Sequence, residues 1–288
     1  MITLDSIHAF CTLIESGNFR SAAARLNCTQ PAVTQKIKRL ELELGQPLLD
    51  AFRRTPTPQG RLFYDRGREL LMRARNIVDE VQDIGGLPER ELRVGTSDTN
   101  ALYFLPPYVQ KFSKAWPDIK LEIYSRSTDE IATEVVRGNL DLGIITLPLD
   151  HKGLETKTLF EQRVVLVVPQ SHTLSSRTRV SLASLRDEAF VLLEASTRTG
   201  SLLQNFFAQE NFAPGVVMYS GSFEVIKRYV AEGLGIAFLP EMVLTDTDRP
   251  ALSTVRVANV PQVSIGVIWQ KERYQSNAAS AFVKLLTP

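Results

Sequence analysis

AAARLNCTQPAVTQKIKRLELELG, residues 22–45, contains the end of one helix, a break and the whole of another. Asn27-Cys28 interrupts a run of good helix formers. Thr29 is placed to cap a new helix, and Pro31 falls in its first turn, where a missing N–H costs nothing. Val33, Ile37, Leu40 and Leu44 then recur at helical spacing, and Gly45 ends the run. Before the break, Ala22, Ala23 and Ala24 offer small side chains where two helices must cross closely. Two helices joined by a short turn, the second opening polar and continuing basic, predict a helix-turn-helix. The outer face of the second helix carries Gln30, Thr34, Gln35 and Lys38, positions suited to base edges in a major groove. Gln pairs bidentately with adenine, and Thr offers thymine a hydroxyl or a methyl. Lys36, Arg39, Arg53 and Arg54 suit phosphates, which supply affinity and register rather than sequence reading.

The flanks extend this pattern. Leu4, Ile7, Phe10, Leu13 and Ile14 predict an amphipathic first helix that Ser16-Gly17-Asn18 stops, and Asn18 caps a short helix over 19–26. Thr57 and Pro58 start a helix that runs to about residue 84. In it Phe63, Gly67, Leu70, Ala74, Ile77, Val81 and Ile84 alternate by four and three, the seam of a coiled-coil-like pair. Gly67 and Ala74 let two backbones approach closely. A homodimer follows, and with it two recognition helices for a pseudo-palindromic site.

Composition fits a folded chain of 288 residues, 44% apolar and 23% charged. No apolar run reaches membrane-spanning length, and MITLDSIHAF lacks the pattern of a secretory leader, so a cytoplasmic protein is expected. The net charge of +1 hides an asymmetry. Residues 16–75 carry twelve Lys or Arg against five Asp or Glu, whereas residues 91–288 carry twenty against twenty-one. A basic first quarter is the electrostatic footprint of one nucleic-acid-binding module. Cys11 and Cys28 are too few for a disulfide framework or a structural zinc. None of His8, His151 and His172 has metal-ligand spacing, and no nucleophile–base constellation is present, so neither an enzyme nor a cofactor is expected.

After Gly85-Gly86 the grammar changes. Strands are expected at 92–95, 119–124, 140–146, 164–168, 189–193, 216–219, 236–239 and 265–269. Helices are expected over 103–116, interrupted or begun by Pro106-Pro107, over 128–136, from about 201, and over 223–231 and 278–286. This alternation predicts two α/β lobes with a ligand cleft between them. Residues 96–100, TSDTN, follow the first strand and precede a helix. Thr146 ends another strand, and residues 196–200, STRTG, repeat the arrangement in the second lobe. Helix starts with neutral donors favour an anion or carboxylate. Ser222 opens a further helix beside the cleft.

FCTLIESGNF, AAARLNCTQPAVTQKIKRLE, LELGQPLL and TPQG together resemble the winged helix-turn-helix of the LysR-type transcriptional regulators. GNLDLGI, PQSHTLS, VAEGLGIAFLP and VIWQKERYQSNAASAF extend the resemblance over nearly the whole chain. It implies an all-α winged helix-turn-helix with a long linker helix, plus an α/β two-lobed effector domain like the type 2 periplasmic binding proteins. The expected boundaries are 1–60 for the DNA-binding domain and 57–86 for the dimerising helix. Lobe one is 91–160 with 265–288, and lobe two is 161–264. The family further implies a dimer of dimers, RNA polymerase as a partner, and lobe closure coupled to DNA binding. The wing departs from the family pattern: Leu49 replaces an aromatic, Ala51 stands where Arg is usual, and the loop is about two residues short, with Arg53 and Arg54 left to supply the charge. TSDTNALY resembles the anion-binding segment of the sulfate-sensing cysteine-biosynthesis regulators. That likeness places effector contacts at Ser97, Thr99 and Asn100, with Thr146 and Thr197 as partners; Ser196 and Arg198 adjoin them, the alternative for Arg198 being a pair with a surface carboxylate. The alternative reading is a cytoplasmic small-ligand-binding protein whose helical N-terminus makes protein contacts.

Overall fold

The computed structural model describes residues 1–50, 55–84 and 91–287, with the backbone alone at 79 and 82–84. The chain divides into two compact units, Met1–Leu87 and Pro88–Pro288.

In the first unit, α1 (Leu4–Ser16), α2 (Phe19–Arg25) and α3 (Gln30–Leu44) are each opened by a side-chain cap, from Thr3, Asn18 and Thr29. Each cap satisfies an amide that the helix leaves unpaired. Asn27 takes φ 50° in the turn between α2 and α3, a conformation that asparagine tolerates better than most residues. Phe10, Ala22, Val33, Leu40 and Leu48 are buried at the centre of this small core. Full burial of each large side chain contributes roughly 1.5–3 kcal/mol. Beyond α3, the Glu41 carboxylate accepts from the amides of Leu48 and Leu49 at 2.8 and 3.1 Å, which fixes how the chain enters the wing. The wing is a short antiparallel pairing of Leu49 with Pro56, reinforced by Asp50 N donating to Thr55 O at 2.8 Å. Its tip, with the phosphate candidates Arg53 and Arg54, lies outside the described residues.

Thr57 then caps α4 (Pro58–Ile84) through the Gly60 amide at 3.0 Å. A Cβ at Gly60 would lie 2.0 Å from the Leu48 carbonyl oxygen, so only glycine allows the wing to meet α4 here. Glu15 of α1 accepts from Arg68 of α4 at 3.1 Å and Arg25 of α2 at 3.2 Å. These ion pairs join three helices.

The second unit contains two sheets. The first is built from β1 (Glu91–Thr96), β2 (Lys120–Ser125), β3 (Leu142–Thr146), β4 (Leu154–Gln162) and β11 (Val263–Gln270). Its order is β2-β1-β3-β11-β4, with β1, β2 and β3 parallel and β11 antiparallel to both neighbours. α5 (Asp98–Tyr103), α6 (Pro106–Ala115), α7 (Thr128–Val136) and α10 (Asn277–Leu286) complete this lobe. Gly95 and Gly143 are register partners beneath α7, and a Cβ at either would come within 3.0 Å of Ile131.

The second sheet contains β5 (Val164–Pro169), β6 (Arg179–Val180), β7 (Ala189–Leu193), β8 (Gly215–Ser220), β9 (Ala237–Pro240) and β10 (Leu252–Val257), with α8 (Arg198–Gln209) and α9 (Phe223–Ala231). Hydrogen bonds from Val191 N to Ile236 O and from Ile236 N to Ala189 O, at 2.9 and 2.8 Å, join β7–β8 to β9. The order is therefore β8-β7-β9-β5-β10-β6. Its first five strands repeat the pattern of the first sheet, with β7 in the place of β1. The chain passes between the sheets at β4–β5 and again at β10–β11, so two segments hinge the lobes.

This is a winged helix-turn-helix with a long helix, plus a two-lobed α/β domain. The structure adds elements to the sequence expectation. Ser97 caps an unexpected helix at Asp98–Tyr103, the helix expected over 103–116 is begun by Pro106, and the two-residue strand β6 is new. Strands β4 and β10, absent from the expectation, are the segments that pair beside the lobe crossings.

Among the described residues, no helix is long and apolar enough to cross a membrane, and no cluster of three or more His, Cys, Asp or Glu is placed to hold a metal.

Candidate functional site

Helix α3 turns Val33, Ile37 and Leu40 into the core, so Gln30, Gln35 and Lys38 are left exposed on its far side. Thr34 is half-buried beside them, and its hydroxyl donates to Gln30 O at 3.0 Å. That bond spends the hydroxyl proton and leaves oxygen lone pairs and the methyl for a duplex. Lys36 and Arg39, expected on phosphates, are engaged within the chain. Lys36 pairs with Asp5 of α1 at 2.8 Å, and Arg39 with Glu43 one turn on at 3.1 Å. Helical geometry is the reason: position 36 lies toward α1, and position 39 faces its i+4 neighbour. Each positive charge is thus partly offset by a carboxylate of the same chain before any phosphate approaches.

On α4 the expected seam divides. The Phe63 ring packs edge-on against Phe10 at 5.5 Å, and Gly67 faces Ile7 and Cys11. Both positions therefore serve the chain's own core. Leu70, Ile77 and Val81 are 47%, 63% and 62% exposed, with Ala74 half-buried between them. The side chain of Ile84 lies outside the described residues.

In the second unit, Ser97 and Thr197 occupy matching places after β1 and β7. The Ser97 hydroxyl accepts from Asn100 N at 3.3 Å, and the Thr197 hydroxyl accepts from Gly200 N at 3.0 Å. Asn100 is buried at 1% exposure, and its amide nitrogen has no protein partner. Thr99 and Thr146 are half-buried. Asp98 accepts from the Ser125 hydroxyl, so its carboxylate is already engaged. Ser196 donates to Glu194 at 3.2 Å. Ser222 precedes α9 without a side-chain cap bond.

Arg198, for which pairing with a surface carboxylate was the alternative to effector contact, pairs with Asp129 of α7 across the lobes and lies 3.5 Å from Pro148 O. A second cross-lobe tie joins Tyr103 to α9: its hydroxyl donates to Glu224 and accepts from Lys227 at 2.9 Å. Burial disfavours the Lys227 ammonium, but hydrogen bonds to Tyr103, Glu224 and Asp248 outweigh it and hold the group above its ordinary range. Burial, with the bond to Glu224, raises the Tyr103 phenol.

Sequence reading missed Asp5, Glu41, Tyr103, Asp129 and Lys227. Ser127-x-x-Glu130 marks the capping box of α7 and so places Asp129 in a first turn. Nothing local says that residue 129 meets residue 198.

The exposed polar face of a helix-turn-helix and a two-lobed α/β domain with two connecting segments are the architecture of a ligand-responsive DNA-binding regulator. The comparisons agree. Residues 4–61 match the bacterial regulatory helix-turn-helix protein, lysR family, and residues 85–288 match the LysR substrate binding domain. The chain is 31% identical to the HTH-type transcriptional regulator AlsR of Bacillus subtilis (strain 168) over 82% of its own length and 80% of AlsR. CysL of the same organism is 27% identical over 83% and 81%. Among solved structures, a full-length OxyR variant from Pseudomonas aeruginosa shares the fold at TM-score 0.72, with 23% identity over 99% of this chain and 93% of that one. CbnR in complex with its target DNA does so at TM-score 0.63, with 22% identity over 99% of each chain. The chain belongs to the LysR family of transcriptional regulators, and it is not an enzyme.

Proposed function

We propose that this regulator reads a pseudo-palindromic promoter site through Gln30, Thr34 and Gln35, with Lys38, a base-edge position by its place on the helix, assigned instead to a phosphate at the rim of the groove. The cleft between its lobes takes a small anion or carboxylate. Ser97, Thr99 and Asn100 hold it from the first lobe with Thr146, and Ser196, Thr197 and Arg198 hold it from the second, with Ser222 at the margin. The observation that carries this reading is the buried Asn100 amide nitrogen with no protein partner. A buried donor left unpaired costs about 1–3 kcal/mol, and an acceptor oxygen in the cleft would recover it. The Ser125 hydroxyl holds one oxygen of the Asp98 carboxylate, and the TSDTNALY segment supports an oxyanion of sulfate's kind.

The working boundaries are residues 1–60 for DNA binding, 57–86 for dimerisation, 91–160 with 265–288 for lobe one, and 161–264 for lobe two. Two chains pair through Leu70, Ala74, Ile77 and Val81, and pairs associate as a dimer of dimers. An effector that binds one lobe arrangement better shifts the population toward it. That shift alters dimer spacing on the promoter and the DNA that RNA polymerase meets, inside the cytoplasm. Mass spectrometry of ligand released from the purified protein, with sulfate and carboxylate titrations of its melting temperature, tests the cleft. An anion should stabilise the wild type and lose that effect in Thr99→Ala. Stabilisation unchanged by Thr99→Ala would move the site elsewhere.

A further inference from the structure

We propose that Asp129 is an internal competitor for the anion that Arg198 holds, so that effector and Asp129 exchange on one guanidinium. This rests on the cleft being an anion site, and it adds a residue and a charge requirement to that reading.

Two ties cross the lobes, and they differ in kind. At the first, the Lys227 side chain is 6% exposed and donates to Tyr103 Oη at 2.9 Å, Val243 O at 2.8 Å and Asp248 at 3.0 Å, with Glu224 a further 3.0 Å partner. That ammonium is saturated, and breaking such a buried set leaves charges uncompensated. At the second, Arg198 reaches from the first turn of α8 to Asp129 in the first turn of α7, with side chains 39% and 77% exposed. An exposed pair of this sort contributes little in water and exchanges readily.

A ligand acts on lobe arrangement only through interactions that differ between arrangements. The saturated tie offers a small anion no vacant donor. The pair at Arg198 can yield one: an oxyanion or carboxylate arriving beside Ser196 and Thr197 displaces Asp129 from Nη2 of the guanidinium, and α7 of the first lobe is released from α8 of the second. A neutral ligand has no claim on that guanidinium. Asp129 therefore sets a threshold of affinity and charge for effectors, while Tyr103–Lys227 keeps the lobes joined during the exchange.

The test uses the full-length chain, with sodium sulfate and sodium acetate titrated against chloride at constant ionic strength. Calorimetric Kd values are compared among wild type, Asp129→Asn, Arg198→Gln, the double variant and Thr99→Ala. Asp129→Asn should bind at least one of these anions about two- to fivefold tighter, the range that an exposed ion pair supplies. Arg198→Gln should weaken binding, and the double variant should follow Arg198→Gln alone. Equal affinity in Asp129→Asn and wild type overturns the proposal, as does a double variant that gains as much as the single one, or no anion binding in any variant. If Thr99→Ala weakens binding while Asp129→Asn changes nothing, the cleft reading survives and the competitor does not. If Thr99→Ala changes nothing, the cleft reading itself fails.

Discussion

Gln35 and Lys38 stand one turn apart on the exposed side of α3, and in the proposed reading they would tell a duplex different things. An amide that pairs with adenine through two hydrogen bonds separates one base from another by about 1–3 kcal/mol. An ammonium on a phosphate neutralises charge and separates nothing. Thr34→Ala with Gln35→Ala should therefore erase preference for the cognate site over random competitor while residual binding persists. Lys38→Ala should weaken cognate and random duplex alike and lower the slope of log K against log salt by about one. Competition binding at several salt concentrations reads both. If the double variant keeps its selectivity, α3 is not the reading helix or its register on DNA is different. Lys36 and Arg39 are a contrasting case, because Asp5 and Glu43 already compensate them. Their replacement should change the salt slope less than loss of Lys38 does.

At the scale of the element, α4 shows how packing sets chemistry. Cys11 lies on the face of α1 that α4 covers, with Sγ 3.9 Å from Tyr64 O. Burial, and then the nearby Glu15 charge, pushes its thiol up to about 12 from an ordinary 9.0. The folded state thus keeps a proton that the unfolded chain loses above its own thiol pKa. Stability from this group is complete below pH 9 and declines as pH rises toward about 12, by up to about 1.4 kcal/mol per pH unit. Urea midpoints of wild type should fall more steeply between pH 8.5 and about 10.5 than those of Cys11→Ala. Parallel curves would show that the thiol is not shielded by α4.

The same element marks the limit of what sequence discloses. Helices α1 to α3 were legible because caps, the proline and apolar spacing act over a few residues. The α4 seam was legible as a period, but a period names no partner, and Phe63 and Gly67 turn out to face α1. Strands β4 and β10 were not legible: LETKTLFEQ mixes charges among few apolar residues, and LSTVRV is short. Ser97, Asn100 and Thr197 announced themselves as hydroxyls and amides at helix starts. Arg198 with Asp129 did not, because 69 residues separate them and only the pairing of two lobes joins them.

For the whole molecule the question is how many chains act together. The outward part of the α4 stripe runs Leu70, Ala74, Ile77 and Val81, steps of four, three and four, the spacing of a two-stranded seam. Three large apolar side chains in a row at roughly half exposure or more are costly to leave in water, and each contributes up to roughly 1.5–3 kcal/mol when a partner covers it. A second copy of α4 presents the same stripe, as two-fold symmetry requires. Leu70→Glu with Ile77→Glu places like charges face to face along that seam. At micromolar concentration the variant should sediment at a lower mass than wild type, and unchanged far-ultraviolet dichroism would show that both units remain folded. Its affinity for a duplex carrying two half-sites one helical turn apart should then fall to that for one half-site. The loss is on the order of 10²-fold or more, because the second contact is no longer made at the high effective concentration that linkage supplies. A variant that still sediments as a dimer would place the main contact between chains outside α4, and one that dissociates yet keeps two-half-site affinity would mean that a single recognition helix suffices.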